Sequence, residues 1–311
     1  MRIAILGATS QIAQDLILSF LKYKDYNLFL FGRNVELLEK WVDSENLNAR
    51  HQVQPYIAFN NSQEYHVIIN FVGIGDPVKA KNMGSDIFKI TEQYDDMALN
   101  YIKHHKQTKY IFLSSGAVFG GDYQEPVNKN TVAMIDVNNL NPTDWYAIAK
   151  LYAEAKHRSL PNLSIVDVRV FNYFSHTQNM NARFLITDIV RSLKNKEVFR
   201  TSADNIVRDF ITPPDFYHLI QTVIDYDPIN TALDCYTNAP VAKLDLLLKL
   251  KEKFGLEYQI EKSINIVNAT GVKFNYYSTN TIAKSIKYNP KNNSLDGIIK
   301  ELSTFFSKHK T

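Results

Sequence analysis

Arg2-Ile3-Ala4-Ile5-Leu6-Gly7-Ala8-Thr9-Ser10-Gln11-Ile12-Ala13 is the stretch on which the reading of the whole chain turns. Four consecutive apolar side chains end at Gly7, and apolar residues then recur at helical spacing at Ile12, Ala13, Leu16, Ile17, Phe20 and Leu21. That order is strand, tight turn, helix. A turn in that position aims backbone N–H groups and the positive end of a helix at a pyrophosphate. The usual pattern has glycine at three places; here Gly7 alone remains, with Ser10 and Ala13 at the others. Ala13 is still small enough for close helix–strand packing, while Ser10 narrows the backbone approach and adds a hydroxyl. Gly7, Thr9, Ser10, Gln11 and Ile12 are therefore candidate dinucleotide contacts. An ordinary strand-to-helix turn is the competing reading.

The alternation continues downstream. Apolar runs at 28–31, 67–72, 110–113 and 164–170, with a weaker one at 53–59, predict strands. Helical patterns at 35–41, 86–104 and 145–158 separate them. Strands that are apolar throughout are buried on both faces, which implies an α/β protein with a doubly wound parallel sheet over about residues 1–170. The expected organisation is a dinucleotide-binding domain at 1–172 and a smaller α+β substrate lobe at 173–311, with room for a strand returning to the sheet. In that second half, helices are expected at 182–193, 215–224, 243–254 and 295–306, and short strands at 207–211, 233–237 and 258–260.

Composition narrows the classes. The 311 residues carry 35 Lys+Arg against 32 Asp+Glu, too even a balance for a nucleic-acid footprint. Cys235 is the single cysteine, so the chain forms no internal disulfide, which suits a reducing cytoplasm. No signal peptide and no apolar run of about 18 residues is visible, so no membrane association is expected. His104 and His105 are neighbours on a helix and point apart, and no other His/Cys spacing suggests a metal. Lys308-His309-Lys310 reads as a solvated tail.

Tyr146-Ala147-Ile148-Ala149-Lys150 puts a phenol and an ammonium on one helix face. A neighbouring positive charge favours phenolate, which predicts a Tyr146 tuned to act as acid or base in hydride chemistry. Upstream, the strand at 110–113 ends in Ser114-Ser115-Gly116, and hydroxyls at that end of a parallel strand face the ligand crevice. At the end of the second strand, Gly32-Arg33-Asn34 has no acid to hold a ribose 2′-hydroxyl. Arg33 favours the 2′-phosphate of NADP(H), with NAD(H) kept as the alternative.

Taken in order, GATSQIA, VIINFVG, SSGAVFG, YAIAK, VRVFN, VRDFI and STNTIAKSIKYNPKNNSLDGI span nearly the whole chain. Together they resemble an extended, Rossmann-type short-chain dehydrogenase/reductase of the nucleotide-sugar epimerase/dehydratase kind. The resemblance implies that Ser115 hydrogen-bonds the reacting sugar oxygen, Tyr146 is the general acid/base, and Lys150 holds the nicotinamide ribose. It places Phe71, Val72 and Phe171 along the cofactor, Asn172 against the substrate, and Arg208 on the nucleotide diphosphate. Relatives dimerise through a four-helix bundle that would use the helices at 86–104 and 145–158, so a homodimer is part of the expectation.

Departures from the family pattern narrow the chemistry. Sugar 4,6-dehydratases carry an Asp-Glu pair where this chain has Gly116 and Ala117, and 3,5-epimerising relatives use a cysteine that is absent there. His176, soon after Asn172, is a further acid candidate, although a polar loop histidine is the plainer reading. Trp145 stands where relatives have proline and is expected at the substrate mouth or in simple packing. These features point to reduction of a 4-keto sugar nucleotide by NADPH, with NAD-dependent C4 epimerisation as the alternative. A non-catalytic dinucleotide sensor is the alternative of another class.

Overall fold

A computed structural model describes residues 1–47, 50–73, 82–121, 123–261 and 273–308. The apolar runs form a parallel sheet with strands β1 (Arg2–Leu6), β2 (Asn27–Gly32), β3 (His51–Pro55), β4 (Val67–Asn70), β5 (Lys109–Ser115) and β6 (Ile165–Val170). Their order is β3-β2-β1-β4-β5-β6, so the chain reverses direction across the sheet between β1 and β4. In open parallel sheets such a reversal is where a ligand crevice forms, beyond the carboxyl ends of the two strands. Short strands β7 (Asn172–Tyr173), β8 (Phe199–Ser202), β9 (Val207–Arg208) and β10 (Phe210–Ile211) follow. Then β11 (Asn230–Asp234), from the second half, pairs in parallel with β6 and completes the seven-stranded sheet.

Two helical layers cover the sheet. On one face lie α1 (Gln11–Tyr23) and α2 (Val35–Ser44), whose Leu16, Ile17, Phe20, Leu38 and Val42 join the core with Ile3, Ile5, Leu28 and Leu30. On the other lie α3 (Asp86–His104) and α4 (Trp145–Arg158), packed through Ala98, Leu99, Ile102 and Ala153 onto Ala4, Ile68, Tyr110 and Phe112. Strand residues alternate between these two cores, which is why the runs read as apolar throughout.

The second half supplies α5 (Leu185–Asn195), α6 (Pro213–Asp225), α7 (Lys243–Phe254) and α8 (Ser294–Lys308). Strands β12 (Val241–Ala242), β13 (Tyr258–Glu261) and β14 (Asn275–Tyr276) are also there. Helix α6 returns to the main core through Phe216, Leu219, Ile220 and Val223. Helices α5, α7 and α8 enclose a separate core with Ile189, Leu247, Leu250, Leu302 and Phe305. The single strand expected at 207–211 is two, because Asp209 is buried between them and accepts hydrogen bonds from Thr237 and Ser294. Strand β9 then pairs with β14 and β12, whereas β10 pairs with β7. Among the described residues no helix is long and apolar enough to cross a membrane, and no His/Cys/Asp/Glu group could hold a metal. His309 and Lys310 lie outside the described residues, while Lys308 sits 3.2 Å from His176.

Candidate active site

Gly7 ends β1 with φ +78°, a conformation that suits glycine, and a Cβ there would meet the Val72 nitrogen at 2.9 Å. Its N–H donates to the Phe31 carbonyl at 3.0 Å and to the Tyr56 hydroxyl at 2.9 Å. The turn is thus locked between β2, β3 and the end of β4. Ser10 is the N-cap of α1, but its side chain makes no cap hydrogen bond. Thr9 is exposed, with its methyl against Gly32, and Ile12 packs on the core. Gln11 donates to Asp15 at 2.7 Å and to Thr177 at 3.1 Å, tying the turn to the loop after β7. Close backbone approach at Gly7 and an uncapped helix start fit a dinucleotide pyrophosphate.

At the crevice floor, Phe71 donates its N–H to the Leu6 carbonyl at 2.8 Å and turns its ring toward Phe216. Val72 donates its N–H to Asn70 at 2.9 Å. Arg33 is exposed after β2, and its neighbour Asn34 caps α2.

Ser115 ends β5, Tyr146 lies in the first turn of α4, and Lys150 follows one turn later, buried. The Lys150 ammonium donates to the Leu113 carbonyl at 2.7 Å and lies 4.1 Å from the centre of the Phe112 ring. Burial lowers its pKa to about 8, even with support from the carboxylates of Asp95, Asp167 and Glu154. Tyr146 is half-buried, and desolvation raises its pKa; a hydrogen bond with Ser115 opposes that rise. The ammonium was expected to depress the phenol, and it does not, because it is turned down to Leu113 and Phe112.

Gly116 follows Ser115, and the reason for glycine is steric. A Cβ there would lie 2.3 Å from the Phe171 ring. Phe171 therefore fills the space beside Gly116, stacks on Phe119 and lies tilted against Tyr276. The Asn172 amide donates to the Tyr276 carbonyl at 2.9 Å and to the Asp209 carbonyl at 3.3 Å, so it holds β14 in place.

Two site residues were not foreseen. The Tyr276 hydroxyl lies 3.4 Å from the Ser115 oxygen, and the Lys273 ammonium is 4.5 Å from the Tyr276 ring centre. Pairing of β14 with β9 sets Tyr276 opposite Arg208. The Arg208 guanidinium donates to the carbonyls of Val207 at 2.8 Å and Phe274 at 3.2 Å, not to Asp204. Burial lowers Arg208 to about 10, while burial and the Arg208 charge lower Lys273 to about 8. Among the described residues neither cation forms an ion pair, which suits an anionic ligand. The only hint in the sequence was the proximity of Lys273 and Tyr276 to the STNTIAK segment.

The remaining candidates are structural. The His176 ring is held by Glu301 at 2.7 Å, and Cys235 is buried with its thiol pushed well up. Trp145 starts α4 and packs near Gly84. His104 faces its own helix at Asn100 while His105 reaches Asn61, so the two do diverge.

Several solved structures share this architecture. The UDP-glucuronic acid 4-epimerase of Bacillus cereus in complex with NAD is 17% identical, with 100% of both chains covered and a TM-score of 0.77. The UDP-glucose 4-epimerase of Thermotoga maritima with UDP-glucose is 15% identical, with 100% of both covered and a TM-score of 0.80. The dTDP-glucose 4,6-dehydratase of Bacillus anthracis in complex with NAD is 14% identical, covers 100% of this chain and 97% of its own, and has a TM-score of 0.75. At such identities the likeness speaks for the fold. No curated protein matches the sequence. The model of the NAD dependent epimerase/dehydratase family matches residues 3–231. The chain belongs to that family and is an enzyme of the extended short-chain dehydrogenase/reductase type.

Proposed function

We propose that the chain is an NAD-dependent C4 epimerase of a nucleoside-diphosphate sugar. The observation that supports this reading is that Ser115, at the end of β5, acts on Tyr146 in the first turn of α4, with Lys150 buried one turn later on the same helix. Tyr146 is set to take a proton from a sugar hydroxyl and to give it back, and Ser115 to hold the same oxygen. Lys150 would hold the ribose of the dinucleotide, with Gly7 and the start of α1 against its pyrophosphate. Bound nicotinamide supplies the acceptor, and then the donor, of the sugar hydride. Arg208 and Lys273, two cations without carboxylate partners among the described residues, suit the diphosphate of the substrate.

Elimination of water is disfavoured, since Phe171 fills the space beside Gly116 where an acid would have to stand. NAD is favoured over NADP by the family itself. One observation keeps reduction of a 4-keto sugar by NADPH as a second reading: Arg33 is exposed at the end of β2, where a 2′-phosphate would sit.

The experiment is direct. Purified protein is given UDP-glucose without added cofactor, and the sugar is followed by proton NMR. Appearance of UDP-galactose supports epimerisation. Inert UDP-glucose, with NADPH consumed on adding a 4-keto nucleotide sugar, supports the reductase. Tight NADH binding without either turnover favours a sensor. Pairing of two chains through α3 and α4, around a groove lined by Phe88, Ile148 and Tyr152, belongs to the same proposal, as does a cytoplasmic setting.

A further inference from the structure

Behind the catalytic helix lies a buried charge cluster that the site chemistry has not used. His157, the penultimate residue of α4, is fully buried. Its Nε2 is 2.7 Å from Asp95 Oδ1, on α3, and its Nδ1 is 2.6 Å from Asp167 Oδ1, on β6. Ionised carboxylates only accept, so a ring facing two of them carries both its protons and is an imidazolium. Asp95 also receives the Tyr110 hydroxyl at 2.9 Å and has the Lys156 ammonium at 3.4 Å. Lys156 is shared with Asp96, and Asp167 is also held by Arg158 at 2.6 Å. Glu154 is taken by Arg169 and Ser114, and Asp234 by Arg169 at 3.3 Å. With His157 charged, Asp95, Asp96, Glu154, Asp167 and Asp234 balance Lys150, Lys156, His157, Arg158 and Arg169.

Two routes lead from this cluster to the crevice. Phe112 carries the Lys150 ammonium on its face at 4.1 Å and the edge of the His157 ring at 5.2 Å. Asn70 donates to the Tyr110 hydroxyl at 2.9 Å and accepts the Val72 N–H at 2.9 Å, so the chain Asp95–Tyr110–Asn70 ends on Val72. Among the described residues the Lys150 ammonium meets the Leu113 carbonyl, the Phe112 ring and the Gly73 backbone and forms no ion pair, and a buried ammonium so placed depends on charges farther off.

We propose that Asp95 is a positioning residue of the active site: held in place by His157, Lys156 and Tyr110, it supplies the buried countercharge for the Lys150 ammonium, and through Tyr110 and Asn70 it fixes the Val72 backbone on the crevice floor. Its consequence for cofactor binding rests on the reading of Lys150 as the ribose ligand. The carboxylates whose charge supports Lys150 are those of Asp95 from α3, Asp167 from β6 and Glu154 from α4, with Tyr146 one turn before it on its own helix, and Asp95 also reaches the crevice floor through Tyr110 and Asn70. Removing that charge should lower the Lys150 pKa by about one unit.

The test uses intact protein with lysine labelled by 13C at Cε, the Lys150 signal being assigned by its loss in Lys150→Met. We expect the Lys150 midpoint, near 8 in the wild type, to fall by about one unit in Asp95→Asn and to stay in place in Asp96→Asn. An unmoved midpoint in folded Asp95→Asn overturns the proposal. In the wild type, 15N spectra should show both ring nitrogens of His157 protonated near neutral pH; a bare nitrogen there also overturns it, and this reading does not depend on any variant folding. NADH fluorescence supplies the link to the site: binding should be lost at a pH about one unit lower in Asp95→Asn than in the wild type. A wild type that binds no NADH, with the midpoint shift present, refutes the dinucleotide reading and leaves the electrostatic coupling standing.

Discussion

The hydroxyl of Ser115 lies 3.4 Å from the phenol of Tyr276, and the same Ser115 hydroxyl also acts on the phenol of Tyr146, opposing the rise that burial gives its pKa. One small side chain at the end of β5 is thus shared by two phenols, from α4 and from β14. Tyr146 is on α4, whereas Tyr276 is brought in by the pairing of β14 with β9 and by the Asn172 amide. Burial raises both phenols, so at neutral pH each is a hydrogen-bond donor.

Tyr276→Phe removes one of these donors and keeps the ring that packs on Phe171 and Tyr123. A neutral hydrogen bond contributes about 1 kcal/mol, which corresponds to roughly a fivefold loss. We expect kcat/KM for UDP-glucose to fall by about that factor, with little change in the thermal midpoint. Steady-state assays and a thermal melt check both parts.

Arg208 and Lys273 should be separable from the cofactor site. A charge-assisted bond to a phosphate is worth about 1.5–3 kcal/mol, so Arg208→Met or Lys273→Met should weaken UDP binding roughly 10- to 100-fold. Calorimetric titration with UDP measures this, while NADH affinity should be unchanged in both variants.

Gly116→Ala forces a Cβ into the Phe171 ring, which must move away from Phe119 and Tyr276. Overpacking of this kind costs about 1–3 kcal/mol. Urea unfolding should show that loss, and activity should fall with it because Tyr276 shifts.

His157 makes folding stability depend on pH. Burial alone would lower its pKa, but the hydrogen bonds to Asp167 and Asp95 prevail and raise it to about 9. A folded-state value above the ordinary 6.5 stabilises the fold fully below pH 6.5, and that contribution is lost as the pH rises toward 9. Urea midpoints measured across this window should fall for the wild type, and the corresponding slope should be missing in His157→Gln.

How far the sequence could be read depends on whether a feature is local. Strands β1, β2, β4, β5 and β6 were legible because each is sandwiched between two helical layers and is mostly apolar, although β6 also carries Asp167 and Arg169. Strand β3 was expected at 53–59 but lies at His51–Pro55, since an edge strand with half-buried side chains leaves a weak pattern. The break at Asp209 was hidden because its partners, Thr237 and Ser294, are far along the chain. Ser115, Tyr146 and Lys150 stood out through spacing within single elements and position at a strand end. Tyr276 and Lys273 did not, because only the long-range β9–β14 pairing brings them to Ser115 and Arg208. The tuning of Tyr146 was misjudged for a related reason: helical spacing brings Lys150 to the same face, but the Leu113 carbonyl decides where its ammonium points.

The central claim is that the Tyr146 phenol moves the proton during sugar chemistry at a bound dinucleotide. Its most direct test is Tyr146→Phe, assayed for conversion of UDP-glucose and, in the same preparation, for NADH binding. The account predicts turnover reduced to background with NADH affinity unchanged within a few-fold; full activity in that variant would contradict it.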